Sequence, residues 1–117
     1  MNETIEKLKE YGADIDSAIS RFVGDTELYQ LCCMNFLDDL NFIKLNEAVL
    51  NADYKKIFEC AHTIKGVAGN LSLTPIYNAS CKLVEALRKE DYSNLKNLYA
   101  EVDFQFNRLK EILSNCS

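Results

Sequence analysis

Between Asp53 and Leu73 the chain reads DYKKIFECAHTIKGVAGNLSL, and the spacing of its apolar residues is that of a helix. Ile57, Cys60, Ala61, Ile64, Val67, Ala68 and Leu71 form the stripe of an amphipathic helix, three or four residues apart. The single histidine, His62, falls off that stripe. At about 100° per residue, Lys55, Phe58, Glu59, Lys65, Gly66 and Gly69 lie within roughly 60° of it, on the opposite face. Glycine inside a helix costs about 1 kcal/mol relative to alanine. Two of them beside the imidazole read as a surface kept clear, so that another molecule can approach the ring. Lys65, three residues on, brings an ammonium to whatever the imidazole binds. A lone histidine is more often a plain core or surface residue. A nucleophile, a cation and open space together point to chemistry on an anion, most naturally a phosphoryl group.

The same period runs through the rest of the chain. Residues 3–11 read as a short helix with Ile5 and Leu8 on one side and Gly12 as its stop. Asp14 or Asp16 caps a second short helix, with Ile15, Ile19 and Phe22 (or Val23) inward, ended by Gly24. Asp25 or Thr26 then starts a long helix reaching Asn51. On it Tyr29, Cys33, Phe36, Leu40, Ile43 and Leu50 fall on a near-heptad spacing, and Asn41 marks a bend. Asp38 and Asp39 read as a solvated face, because adjacent helical positions diverge. Asp53 caps the histidine helix. Ser72 or Thr74 caps the next, with Pro75 as its first residue, and Asp91 or Ser93 caps a last helix over 92–113. No stretch alternates with period two, so no sheet is expected. The spacing therefore predicts an all-α fold. It is an antiparallel up-and-down four-helix bundle with one or two short N-terminal helices, and residues 1–117 form a single domain.

Composition narrows the function classes. With 117 residues, 48% of them hydrophobic, the chain can build one core and stand as a monomer with no cofactor inside it. A net charge of −5 disfavours sequence-independent nucleic-acid binding, which relies on basic patches. The N-terminus is charged and no run approaches the ~20 apolar residues of a membrane span. A cytoplasmic, free-standing protein that meets selected protein partners is expected. Cys32, Cys33, Cys60, Cys81 and Cys116 are odd in number and include no C-x-x-C pair, which predicts reduced, mostly buried thiols. No metal site is expected, since His62 has no second ligand one turn away. Redox sensing by an exposed cysteine has no supporting feature. An independent enzyme using His62, with Glu59 orienting the ring, lacks a paired acid or base and a substrate pocket.

The stretch AHTIKGVAGNLSL resembles the signature of the histidine-containing phosphotransfer (HPt) domain, with Ala61, His62, Lys65, Gly66, Leu71 and Leu73 in register. RFVGDTELYQLCCMNFLDD is similar to the family's upstream stretch through Gly24, Asp25, Leu28, Tyr29 and Phe36, with Cys33 in place of a leucine. LVEALRKED is similar to its downstream run through Glu85 and Asp91. Ser72 departs from the pattern, which has glycine there and so predicts an unusual backbone angle or a cap. The resemblance implies a relay of phosphoryl groups between receiver domains of response regulators, fed by a hybrid histidine kinase, with no kinase activity of its own. It makes His62 the phosphoacceptor through Nε2 and Lys65 the group that neutralises phosphoryl oxygens, with Mg²⁺ supplied by the receiver. Gly66 and Gly69 would let receiver loops close over the ring. Phe58 would be a docking anchor, or else partly buried against a neighbouring helix. Lys55 and Glu59 would set charge complementarity, or else form a solvated face. An adaptor that binds receivers without carrying phosphate is the alternative, and has no need of His62 or Lys65.

Overall fold

The computed structural model of the chain describes residues 3–114. Among them it forms seven helices and no strand: α1 (Glu3–Tyr11), α2 (Ile15–Arg21), α3 (Thr26–Leu37), α4 (Asn41–Leu50), α5 (Tyr54–Asn70), α6 (Thr74–Arg88) and α7 (Leu95–Ser114). The starts of α2, α3 and α5 follow from their first polar residue. Asp14, Asp25 and Asp53 each accept the backbone N–H three residues on, at 3.1, 3.0 and 3.2 Å. α6 starts differently from the sequence expectation. Its N-cap is Leu73, which offers no side-chain bond, and Pro75 stands second after Thr74. α7 begins at Leu95, because Asp91 accepts both the N–H and the hydroxyl of Ser93 and holds residues 92–94 in a turn.

The long helix expected over 26–51 is two helices. Asp39 is not merely solvated: its carboxylate accepts the backbone N–H and the side-chain amide of Asn41 at 2.8 and 2.9 Å. A local side-chain bond of this kind competes with the helical ladder and breaks it. The break also turns the chain about its axis. Tyr29, Cys33 and Phe36 are buried as the heptad spacing predicts, but Leu40, Ile43 and Leu50 are 63%, 60% and 76% exposed. Leu45 and Ala48 take their place in the core. Phe36 packs edge-on against Phe42 across the corner, centroids 5.1 Å apart.

α5 packs between α4 and α6, α6 packs on α7, and α1 lies against α7. Phe42 meets Phe106 at 4.1 Å, while Asn46 accepts from the Tyr99 hydroxyl at 3.0 Å. Going up α4 thus means going down α7, so these two helices run in opposite directions. The core is continuous from Ile5 and Leu8 through Ile57, Ile64 and Ile76 to Leu109 and Leu113.

The end of α5 is held by the N-terminal elements. The last carbonyls of a helix have no partner within it. Here Arg21 donates to the Gly69 and Asn70 carbonyls at 2.7 and 2.8 Å. Tyr29 donates to that of Leu71 at 2.8 Å, and the Asp14 N–H to that of Ser72 at 2.9 Å. Burial, with Cys33 alongside, holds the Tyr29 hydroxyl well above the ordinary phenol range, so it stays a donor. Ser72 has a φ of 55°. Its N–H reaches back to Gly69 and that of Leu73 to Ala68, closing the helix in a left-handed cap. Of the two roles open to Ser72, the structure shows the unusual backbone angle and not the cap of α6.

Two stability changes follow. Tyr29→Phe leaves the buried Leu71 carbonyl unpaired and lowers the unfolding free energy by about 1–3 kcal/mol, measured by urea titration. An unchanged midpoint would show that the bond contributes nothing. Ser72→Gly relieves the left-handed residue and raises stability by roughly 1 kcal/mol in the same measurement. A loss on that substitution would mean that the serine side chain outweighs the backbone strain.

Candidate functional site

α5 owes its orientation to its two faces. Ile57, Cys60, Ala61, Ile64 and Ala68 are buried, which leaves His62 exposed on the outer side. The imidazole stacks on Phe58, one turn earlier, with ring centroids 5.6 Å apart and planes 26° from parallel. Phe58 is half-buried and packs against the core, so it holds the histidine ring on one side from a fixed base. Arg88, in the last turn of α6, stands over the same phenyl ring with its guanidinium carbon 5.8 Å from the centroid.

Lys65 is half-buried and lines a cavity of about 520 Å³ between α5 and α6. Lys82, Arg88 and Lys89 line it too, against the carboxylates of Glu85 and Asp91. Glu85 is engaged with Lys89 at 3.7 Å. With four bases against two acids, this strip, which begins at Lys65 three residues after His62, is locally basic on a chain whose net charge is −5. On the other side of Phe58 a second cavity, of about 590 Å³, is lined by Tyr54, Lys55, Glu59 and Tyr92 among others. Tyr54 and Tyr92 stack face to face at 3.8 Å and form its wall. Lys55 and Glu59 are exposed.

The two glycines differ. A Cβ on Gly66 would meet nothing within 4 Å, so that position is open beside the imidazole. A Cβ on Gly69 would stand 3.1 Å from the Tyr77 ring of α6. The expectation that both lie open therefore needs correcting: Gly69 is half-buried under Tyr77, and there the missing side chain lets two helices approach.

Arg88 and Tyr77 are the site residues that sequence reasoning missed. Both reach α5 from α6, and neither contact leaves a trace in the period of its own helix. The only hint for Arg88 is a base in a last helical turn, where the helix dipole favours one. Of the described thiols, only Cys81 lines the cavity beside Lys65. Cys33 and Cys60 are buried, Cys32 and Cys81 half-buried, and none of the four is in a disulfide. Burial pushes the Cys33 thiol up to about 12 and raises that of Cys60. Cys116 lies outside the described residues. Among the described residues no group of three or more His, Cys, Asp or Glu side chains is placed to hold a metal ion, and no helix is long and apolar enough to cross a membrane.

Fold and site together define an all-helical protein that offers one exposed imidazole, flanked by cations, to a partner. Residues 8–115 match the Hpt domain family, nearly the whole chain, and the chain belongs to that family. Membership implies histidine phosphotransfer in a phosphorelay, with receiver domains and kinases as the class of partner. Comparison with curated proteins and with solved structures found no match.

The glycine contrast gives a direct test. Gly66→Ala adds a methyl group to open space and raises stability by about 1 kcal/mol in a thermal or urea melt. Gly69→Ala gains less, because Tyr77 must move by a few tenths of an ångström. Equal gains at the two positions would show that Tyr77 does not constrain Gly69.

Proposed function

We propose that the chain accepts a phosphoryl group on His62 from the aspartyl phosphate of one receiver domain and passes it to the aspartate of another. The observation that carries this reading is the exposed imidazole, stacked on Phe58 with Gly66 open beside it, within a chain of the Hpt family. Nε2, the outer ring nitrogen, attacks phosphorus in line. The N–P bond forms as the P–O bond to the receiver's aspartate breaks, and that aspartate leaves as a carboxylate. A second receiver reverses the step. The attacking nitrogen is the one of the neutral ring that carries no proton, so its lone pair makes the bond.

Lys65 neutralises phosphoryl oxygens as the group is transferred. Arg88 and Lys82 add positive charge along the same strip and draw in an acidic receiver surface. Phe58, Lys55 and Glu59 form the docking surface with Gly66, across which receiver loops reach the ring. Gly69 contributes by holding α6 close. In this reading Mg²⁺ comes with the receiver, because the strip beside His62 offers mainly cations. A hybrid histidine kinase supplies the phosphoryl group, and the chain needs no kinase activity of its own. The scaffold is an antiparallel up-and-down four-helix bundle of α3–α4, α5, α6 and α7, with α1 and α2 covering one end. The relay requires neither a membrane nor a second copy of the chain, so the reading is of a cytoplasmic monomer.

Incubation with a labelled phosphoreceiver and Mg²⁺ tests it. The wild-type chain takes up label in an acid-labile, alkali-stable form, His62→Gln takes up none, and Lys65→Ala is slower on the order of tenfold. Label that survives His62→Gln contradicts the assignment. Receiver binding with no transfer, across a panel of receivers, favours the adaptor instead.

A further inference from the structure

The break between α3 and α4 has a second effect, away from His62. It turns Ile43 outward and opens a groove between α4 and α7 of about 550 Å³. That volume lies within the roughly 300–1,000 Å³ of ligand sites. The floor is apolar: Leu37, Phe42, Val102 and Phe106 line it, and the Phe42–Phe106 contact at 4.1 Å forms its base. Ile43, on the exposed side of α4, stands on the lip. The rim is acidic. Asp38 and Asp39 lie at the α3–α4 corner and Asp103 lies on α7, against one base, Lys110. The walls are two helices running in opposite directions, so the groove is a trough and not a closed pocket. None of its lining residues belongs to the α5–α6 strip.

We propose that this trough docks an amphipathic helix of a partner protein whose polar face is basic. Apolar side chains three and four residues apart on that helix would lie on the Phe42–Phe106 floor. Lysines or arginines on its flanks would meet Asp38, Asp39 and Asp103. The charge argues for this occupant. A second copy of the chain carries a net −5 and brings acid to acid. Nucleic acid has the same sign, and a small apolar ligand leaves the carboxylate rim unused. Because the trough shares no residue with the strip beside His62, a helix bound there leaves the phosphotransfer face free.

The test uses a fluorescent Leu/Lys peptide of about 18 residues, five helical turns, with its leucines on one face. A scrambled peptide of the same composition, with no apolar face, is titrated in parallel against the full chain. The amphipathic peptide binds about tenfold tighter than the scrambled one. The double variant Ile43→Lys with Asp103→Lys, both residues being exposed, weakens it about tenfold while leaving phosphotransfer to His62 unchanged. Amide chemical shifts move in α4 and α7. Equal affinity for the two peptides, or affinity unmoved in the double variant, overturns the proposal. So do shifts centred on the His62 face, and so does self-association of the chain that the variant abolishes.

Discussion

The clamp on the end of α5 is the interaction on which the rest depends. Four successive carbonyls, from Gly69 to Ser72, accept from Arg21, Tyr29 and the backbone of Asp14. Those donors come from α2, α3 and the turn before α2, far away in sequence. A helix end would otherwise leave these oxygens to water or bury them at a cost. Here they tie the N-terminal third of the chain to the helix that carries His62. The Arg21 guanidinium also places positive charge at the negative end of the helix dipole. With that end fixed and the Ile57–Ala68 stripe buried, the face of His62 has no freedom to turn inward.

What the fixed face offers is access and charge. Phe58 supports the imidazole from one side and Gly66 leaves the other open, so the ring is held without being covered. α6 supplies the cations. Arg88 reaches across to Phe58, and Lys82 and Lys89 continue the strip that Lys65 begins. A chain that is acidic overall thus becomes basic along the strip that starts at Lys65. Separation of charge over a single domain favours encounter in one orientation.

Much of this was legible in the sequence because it is local. The α5 stripe, the aspartate caps of α2, α3 and α5, and Gly12 as the stop of α1 follow from residues within a turn of one another. The exposed side of His62 followed from the same periodicity. A bend at Asn41 was legible, but a full break after Leu37 was not, because hydropathy continues across it and the bond that makes it belongs to one side chain, Asp39. Its consequence, the exposure of Leu40, Ile43 and Leu50, was hidden for the same reason. Arg21, Tyr77 and Arg88 act on α5 from other helices, and no period within their own segments reports such a contact. Ser72 stands between these cases. The family pattern marked the position as unusual, and the left-handed φ gives the reason.

The most direct measurement is of the phosphorylated chain itself. After reaction with a phosphorylated receiver, a long-range ¹H–¹⁵N spectrum with phosphorus detection locates the modified nitrogen. Phosphorus coupled to Nε2 of His62, and to no other side chain, is the predicted result. Phosphorus on an aspartate, or on no residue while the receiver still binds, would contradict the role given to that ring.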